Sequence, residues 1–345
     1  MAGRKHHTVP QFLLRAFASR TSGKEAYVWT YRGRDSAIEI NIKNIGAERD
    51  FYGHELDARI TDLETGFAPL AEALRSRDGP VDIRETADLV AHLTLRTRAL
   101  RQSVTALAAQ MTDRIREHFS NPDVVRAAVR NKMPSSEVLK RLRESMAKEG
   151  LKKYEIERRI LAAGPKLLQV WNRSIDGRAE EIASVVDSAA REAMKGHSER
   201  MRVSFIDALS GGLEDNARIR AYREFTWSVH PATEPLILGD SVCVFEVGGE
   251  RPFKPWDDET TPTKRIFMPL SPDRLLIGSR DDTLPPVDAP ALNRAFSRCS
   301  LEFFVSSKRT DCPDLPEFIG VWSGIATNSE LNAVWEQIKD DWSGG

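Results

Sequence analysis

The chain has very few cysteines for its length. Only three occur in 345 residues, at Cys243, Cys299 and Cys312, and no two of them form a C-x-x-C pair. An odd number of widely spaced cysteines argues against a disulfide framework and against a zinc ribbon. We therefore expect a protein of the reducing cytoplasm. No apolar run reaches the length of a membrane-spanning helix, so we expect no membrane partner.

The common sequence signatures of catalysis are also missing. The chain contains no G-x-x-x-x-G-K-S/T loop, no G-x-G-x-x-G, no G-x-S-x-G and no H-E-x-x-H. These absences exclude the protein classes that the motifs define. The composition, with 41% hydrophobic and 29% charged residues, is typical of a globular protein.

Charge is distributed unevenly, although the net charge is only −1. Residues 1–89 carry 13 Lys/Arg and 14 Asp/Glu, residues 90–224 carry 26 and 18, and residues 225–345 carry 11 and 19. The most basic window is residues 126–166, with 12 basic and 5 acidic side chains. Such a window can attract nucleic acid. The candidate contacts are Arg126, Arg130, Lys132, Lys140, Arg141 and, with less regular spacing, Arg143. The alternative is a solvated helical surface, since Lys and Arg are good helix formers.

Hydrophobic periodicity divides the chain into three regions. Residues 1–55 predict a short helix over Val9–Ala18 and a β-hairpin of residues 26–31 and 38–42. Residues 56–225 are helical in pattern, with helices expected near 56–74, 84–118, 166–195 and 198–209. Gly164-Pro165 is among the expected helix breaks.

The third region, residues 226–345, has short strands between proline and glycine residues. Strands are expected at 226–230, 242–247, 265–268, 275–277 and 303–306, and helices at 292–300 and 329–341. The three regions together predict an α+β fold. We expect a mostly antiparallel sheet built from N- and C-terminal strands, with a large helical insertion between them.

The N-terminal segment from Arg4 to Phe17 is the most informative stretch, because it places polar chemistry inside an apolar run. It contains His6, His7 and Gln11. Imidazole is the commonest metal ligand and a proton carrier near neutral pH. Adjacent residues point in different directions, so only one of the two histidines can enter a given site. Gln11 shares a face with His7 if Pro10 begins a helix, and its amide can then orient the imidazole.

The segment K-H-H-T-V-P-Q-F, followed by L-R-A-F, resembles the opening of a bacterial domain-of-unknown-function family, number 4238. Further matching segments are Asn44-Ile45, Glu48–Tyr52, Leu95–Thr97, residues 236–241, Met268–Pro272, Asn293 and Phe304-Val305. Gly239 replaces the family's usual serine, and Val242-Cys243 replaces its Asn-Pro. The resemblance implies no activity, because none is attached to the family.

Three further residues complete the candidate catalytic set. Asp50 follows the second strand and could ligate a metal together with His7, or simply cap a turn. Arg96 shares a helix face with His92 and, being partly buried, must find an anion. That anion could be Asp50, Asp240, or a phosphate or carboxylate of a ligand. Asp240 itself lies in a turn before a strand, where an aspartate is also an ordinary turn residue.

Two functions remain open at this point. The first is metal-assisted phosphodiester hydrolysis of the nuclease kind, in defence against foreign nucleic acid. In it His6 or His7 with Asp50 or Asp240 would hold a divalent metal or activate water, and Arg96 would stabilise phosphate charge. Gln11 would orient the imidazole or hold a substrate oxygen. The second is a non-catalytic ligand-binding or regulatory interaction protein, whose polar cluster holds the chain together.

Overall fold

The computed structural model describes residues 5–33, 37–49, 54–129, 136–210, 217–257, 262–281, 286–309, 314–324 and 326–343. The chain separates into two compact units. The first unit comprises residues 1–106 and 198–325, and the second comprises residues 107–197 and 326–345. The stretch 56–225, which the sequence pattern treats as one helical region, therefore contributes residues to both units.

Strands and helices alternate in blocks along the described ranges. The strands are β1 (Lys5–His7), β2 (Arg20–Ser22), β3 (Glu25–Tyr31), β4 (Ile38–Asn41), β5 (Ala47–Arg49), β6 (Gly79–Pro80), β7 (Thr226–Pro231), β8 (Leu238–Gly239), β9 (Val244–Glu246), β10 (Phe253–Lys254), β11 (Arg265–Ser271), β12 (Arg274–Ser279) and β13 (Phe304–Ser306). The helices are α1 (Gln11–Ala16), α2 (His54–Arg75), α3 (Ile83–Leu95), α4 (Arg98–Phe119), α5 (Pro122–Val129), α6 (Ser136–Lys148), α7 (Lys153–Met194), α8 (His197–Ser210), α9 (Ala217–Tyr222), α10 (Ala289–Cys299) and α11 (Asn328–Ser343). Among them we find no helix with both the length and the apolar character needed to span a membrane.

The first sheet joins the two ends of the chain. Its strand order is β2-β3-β13-β8, and β4 also pairs with β3 to form the predicted hairpin. The β13–β3 pairing is antiparallel and places Phe304 opposite Tyr31. Their rings stack with centroids 4.7 Å apart. This pairing of N- and C-terminal strands confirms the predicted α+β fold with antiparallel sheets.

The remaining strands do not extend that sheet. Six of them form a second antiparallel sheet in the order β10-β9-β11-β12-β7-β6, and β1 pairs with β5 in a two-stranded ribbon. Period-two patterning identifies which face of a strand is apolar but not which strand it pairs with. The division of the strands into separate sheets was therefore not predictable from the pattern.

The N-terminal segment is part of the core of the first unit. Val9, Leu13 and Phe17 are fully buried and belong to the main hydrophobic cluster, and Phe12 packs against it. Burial of each such side chain stabilises the fold by about 1.5–3 kcal/mol. The buried side chains that follow His7 therefore hold the N-terminal segment in place.

The single helix predicted over residues 84–118 is wrong, because it divides at Arg96 into α3 and α4. The hydroxyl of Thr97 donates to the carbonyl of Thr94 (3.0 Å) and accepts the N–H of Leu100 (3.4 Å). A threonine side chain can compete in this way with the helical hydrogen bonds, and it then serves as the cap of the next helix. The break leaves Arg96 only 2% exposed, at the end of α3.

The second unit is built around one long helix. α7 runs for 42 residues and continues through Pro165, where the sequence pattern predicted a stop. That prediction is wrong. A proline inside a helix removes one backbone hydrogen bond, but the helix continues on either side of Pro165, whose side chain is exposed. Val125 of α5 packs against Ala179 and Ala183 of α7, and these three residues form a buried cluster in this unit.

Candidate functional site

His7 is the last residue of β1, and Gln11 is the first residue of α1. β1 pairs with β5 so that His7 lies opposite Ala47. Pro10 precedes the helix in an extended conformation and directs the chain into α1. As a result Gln11 reaches back to His7: its Nε2 lies 3.0 Å from Nε2 of the imidazole. The other ring nitrogen, Nδ1, lies 3.2 Å from the carbonyl oxygen of Ile45.

These two hydrogen bonds match one neutral tautomer of His7. A carbonyl oxygen only accepts, so Nδ1 carries the proton and donates to Ile45. The amide nitrogen of Gln11 only donates, so Nε2 accepts from it. Both bonds are satisfied by one neutral tautomer, with the lone pair on Nε2. A proton on Nε2 would face the Gln11 amide group and break that bond.

Arg96 connects this N-terminal pair to the helices. Its Nη2 donates to the backbone carbonyl of His7 at 2.6 Å. Its Nη1 forms an ion pair with Glu64 of α2, and the same atom is 3.5 Å from Nε2 of His92. The anion that a buried arginine requires is therefore Glu64, a residue that sequence reasoning missed.

His92 is a buried neutral imidazole rather than a catalytic acid or base. Burial lowers its pKa to about 3, and the neighbouring positive charge of Arg96 contributes to the same shift. Its ring packs against Phe67 with centroids 5.3 Å apart. His92 is therefore uncharged at physiological pH and is a weak base.

Asp240 lies in a different hydrogen-bond set from His7 and Arg96. Its carboxylate accepts the backbone N–H groups of Leu301 (2.7 Å), Glu302 (2.7 Å) and Phe303 (3.2 Å). Burial raises the pKa of Asp240 to about 6, and the three amide donors oppose that shift. The side chain holds the loop that leads into β13.

A chain of ion pairs runs from β5 to the Asp240 loop. Glu48 of β5 pairs with Arg101 at 2.6 Å and with Arg98 at 3.1 Å. Arg98 in turn pairs with Glu302 at 2.8 Å, and the backbone of Glu302 donates to Asp240. Sequence reasoning did not identify these four partners as site residues. The one available signal was the place of Glu48 within a segment of the family resemblance.

Gly239, a departure from the family pattern, has a steric reason in this chain. A Cβ atom at this position would overlap Oγ of Ser300 and would lie 3.1 Å from the carbonyl oxygen of Phe296. Ser300 Oγ donates to that same carbonyl at 2.7 Å. The usual serine would fit here only if Ser300 moved.

The described residues contain no group of three or more His, Cys, Asp or Glu side chains placed to hold a metal ion. The metal pair predicted from the sequence, His7 with Asp50, is not tested by this observation, because Asp50 lies outside the described residues. The side chain of His6 also lies outside them, although its backbone belongs to β1.

The two described cysteines have the properties of inert core thiols. Cys243 and Cys299 are both buried and free. Burial raises the pKa of the Cys243 thiol well above its usual range and raises that of Cys299 to about 12. A thiol held in its protonated form is a poor nucleophile.

A cavity of about 570 Å³ lies beside Gln11, the hydrogen-bond partner of His7. We call it the Gln11 cavity, and it is lined by Gln11, Phe12, Arg15, Ala16, Ala68, Glu72, Arg75, Ser271 and Asp273. Arg75 forms one wall: it donates to the carbonyls of Leu270 (2.8 Å) and Phe12 (3.1 Å) and pairs with Glu72 at 3.0 Å. Burial lowers the pKa of Arg75, and the Glu72 carboxylate opposes the shift.

Several segments of the family resemblance meet at this place. Gln11 both bonds to His7 and lines the cavity, and Ile45 and Arg96 contact His7. Ser271, from the segment Met268–Pro272, also lines the cavity and donates to Asp273 at 2.7 Å. Segments far apart in sequence therefore form one polar site in the first unit.

The predicted nucleic-acid contacts lie in the second unit. Lys140 and Arg141 of α6 are exposed, whereas Arg126 of α5 pairs with Asp123. Arg143 donates to Glu157 of α7 at 2.8 Å, so this charge is shared with an acidic partner. Arg130 and Lys132 lie outside the described residues. A single basic face formed by all of them stays a prediction.

Comparison with known protein families identifies a family for this chain. The family model described as "Protein of unknown function (DUF4238)" matches residues 5–290 of the chain. No curated protein and no solved structure matches it. What the chain does is therefore inferred from its own residues.

Proposed function

The chain belongs to the DUF4238 family of proteins of unknown function. We propose that it is a non-catalytic binding protein that binds a small polar molecule in the Gln11 cavity. The observation that carries the proposal is the double role of Gln11. This one side chain lines the cavity and also donates to His7. A ligand that engages the Gln11 amide changes the hydrogen bond to His7 and, through it, the contact with Arg96.

The charges around the cavity define the ligand class. Arg15 and Arg75 supply two positive charges, and Glu72 and Asp273 supply two negative charges. Because the lining is balanced, it favours an uncharged or zwitterionic molecule with both hydrogen-bond donors and acceptors over a strong anion. Its volume of about 570 Å³ lies in the range of ordinary small-molecule sites.

The other candidate residues support binding rather than chemistry. Arg96 is occupied by Glu64 and the His7 carbonyl, and the Asp240 carboxylate is occupied by three backbone amides. His92 stays neutral because burial keeps its pKa near 3. Groups held in this way stabilise a frame around a site. The free thiols of Cys243 and Cys299 fit the reducing cytoplasm that we include in the proposal.

Thermal denaturation in the presence of amino acids, sugars and nucleosides tests this function. A ligand that binds the folded state raises the melting temperature by mass action. We expect stabilisation of the parent chain by at least one such class, and loss of that stabilisation in Gln11→Leu. The matched control is Arg84→Gln, an exposed position on α3 away from the cavity lining. Equal responses of the parent and the Gln11→Leu variant would rule out the cavity.

Metal-assisted phosphodiester hydrolysis is the second candidate, and one observation favours it. The bond from Nδ1 of His7 to the Ile45 carbonyl orients the ring and leaves the lone pair on Nε2. A backbone or carboxylate acceptor on one ring nitrogen is the usual support for a histidine that ligates metal through the other. Here Gln11 would have to turn away from Nε2 to admit the metal.

A nuclease assay separates the two candidates. Single- and double-stranded DNA and RNA would be incubated with the chain and either Mg²⁺ or Mn²⁺. Hydrolysis that requires the metal and is lost in His7→Ala, but kept in Arg84→Gln, would favour the enzyme. Exposed Lys140 and Arg141 give the same experiment a binding arm: affinity that falls steeply with salt and falls again on reversal of both charges would place nucleic acid on α6.

A further inference from the structure

A second cavity of the first unit lies at the end of β13, away from the Gln11 cavity. It has a volume of about 250 Å³ and lies between α10, the loop at residues 234–237 and the segment 306–309. Its walls are firmly built. Asn293 of α10 is 9% exposed; its Oδ1 accepts the N–H of Ile237 and its Nδ2 donates to the carbonyl of Pro235, both at 2.9 Å. The hydroxyl of Ser297 donates to the carbonyl of Leu315 on the far side.

Three cationic side chains line this cavity: Arg294, Lys308 and Arg309. Within the described ranges none of the three forms an ion pair or lies over an aromatic ring. Arg298, one turn further along α10, differs in this respect, because its guanidinium packs over the rings of Phe318 and Trp322 at 4.6 and 4.5 Å. Arg294 is thus the arginine of α10 whose donors remain available to a ligand.

We propose that this cavity binds a small phosphomonoester, with its phosphate group held by Arg294, Lys308 and Arg309. Two guanidinium groups and one ammonium group present a set of charged N–H donors that matches the oxygens of one phosphate. Ser307 also lines the cavity and adds a hydroxyl group, whereas the hydroxyl of Ser306 already donates to the carbonyl of Lys308. Several cations in one concave place attract the dianion more strongly than scattered surface charges do.

The rest of the lining sets the organic part of the ligand. The cavity volume of about 250 Å³ is several times the roughly 30 Å³ that one water molecule occupies in the liquid. The cavity therefore has room for an organic group beside a phosphate. Leu236, Ile237 and Leu315 form an apolar wall. Glu234 and Asp314 also line the cavity, and their carboxylates can accept hydrogen bonds from an amine or hydroxyl of the ligand. The ligand class is therefore a phosphomonoester that carries an amine or hydroxyl.

Isothermal titration calorimetry with phosphoserine, serine and inorganic phosphate tests the site on the full chain. We expect phosphoserine to bind, serine not to bind, and inorganic phosphate to bind more weakly than phosphoserine. Arg294→Gln and Lys308→Gln should each weaken phosphoserine binding by about tenfold, since each removes a charge-assisted hydrogen bond. Lys24→Gln, an exposed lysine outside the cavity, should bind like the parent.

Further measurements test separately the contact with the amine and the contact with the phosphate. Glu234→Gln should weaken phosphoserine but leave inorganic phosphate unchanged, because only phosphoserine has an amine. If inorganic phosphate binds as tightly as phosphoserine, the proposal that the cavity also recognises the organic portion of the ligand is wrong. Absence of phosphoserine binding at millimolar concentration, or equal affinity of the parent, Arg294→Gln and Lys308→Gln, would overturn the site. Gln11→Leu should not affect it, so its failure is independent of the proposed function.

Discussion

The backbone carbonyl of His7 accepts a 2.6 Å hydrogen bond from Nη2 of Arg96, 89 residues further along the chain. The arginine is at the end of α3, where Thr97 ends one helix and begins the next. Its other nitrogen pairs with Glu64 of α2. One buried guanidinium thus holds β1 and two helical segments together, beside the cavity that Gln11 lines.

Replacement of Arg96 by alanine should destabilise the first unit strongly. The change leaves Glu64 and the His7 carbonyl without their donor, and because the Glu64 side chain is 25% exposed the cost should be at most about 3 kcal/mol, the lower end for removal of one partner of a buried pair. Urea denaturation followed by circular dichroism measures the loss. Arg84→Ala, at an exposed position on α3, is the control and should unfold like the parent. An Arg96→Ala variant as stable as that control would show that the three-way contact is not maintained in solution.

We expect His7 to be the neutral tautomer that carries its proton on Nδ1. Donation to Ile45 and acceptance from Gln11 require a neutral ring with the proton on Nδ1. Nitrogen-15 NMR of histidine side chains distinguishes this form from the Nε2–H tautomer and from the imidazolium ion. His7→Gln identifies the signal by its disappearance. A ring protonated on Nε2 at neutral pH is incompatible with the Gln11 contact.

Acid should destabilise the fold through His92. Its folded pKa of about 3 is below the ordinary value near 6.5, so the unfolded chain binds the proton more readily. The stability that depends on neutral His92 is present above pH ~6.5 and is lost as the pH falls toward 3. From neutral pH to pH 5 the loss should be on the order of 2 kcal/mol.

His92→Leu isolates this effect, since leucine has no proton to bind. Denaturation between pH 7 and 5 should show a smaller loss for the variant than for the parent. Asp240 acts in the opposite direction: its pKa is raised to about 6, so its contribution is present at low pH and is lost as the pH rises from about 4 through 6. Asp240 is unchanged in both chains and cancels from their difference. Parallel pH profiles for the two chains would exclude His92 as the cause.

Much of the fold could be predicted from local patterns. The hairpin of β3 and β4, the burial of Val9, Leu13 and Phe17, and the strands near the C-terminus follow from period-two and helical spacing. Those patterns report which residues are apolar on one face. They do not report that Thr97 would take over helical hydrogen bonds, or that Pro165 would remain inside α7.

The site was only partly predictable for a related reason. The spacing of His7 and Gln11 across Pro10 predicts that they share a face, and they do form a hydrogen bond. The partner of Arg96 depends on tertiary packing, which brings Glu64 from another helix. The Gln11 cavity is bounded by the turn between β11 and β12, more than 200 residues from Gln11 in sequence. No local pattern encodes such a meeting.

Equilibrium dialysis can show whether the cavity beside Gln11 binds a small polar molecule. The parent chain, Gln11→Leu and Arg84→Gln would be dialysed against one defined mixture of polar small molecules, and the retained compounds identified by mass spectrometry. We expect the parent and Arg84→Gln to retain the same uncharged or zwitterionic compound, and Gln11→Leu not to retain it. Retention of that compound by all three chains, or of no compound by the parent, would contradict this expectation.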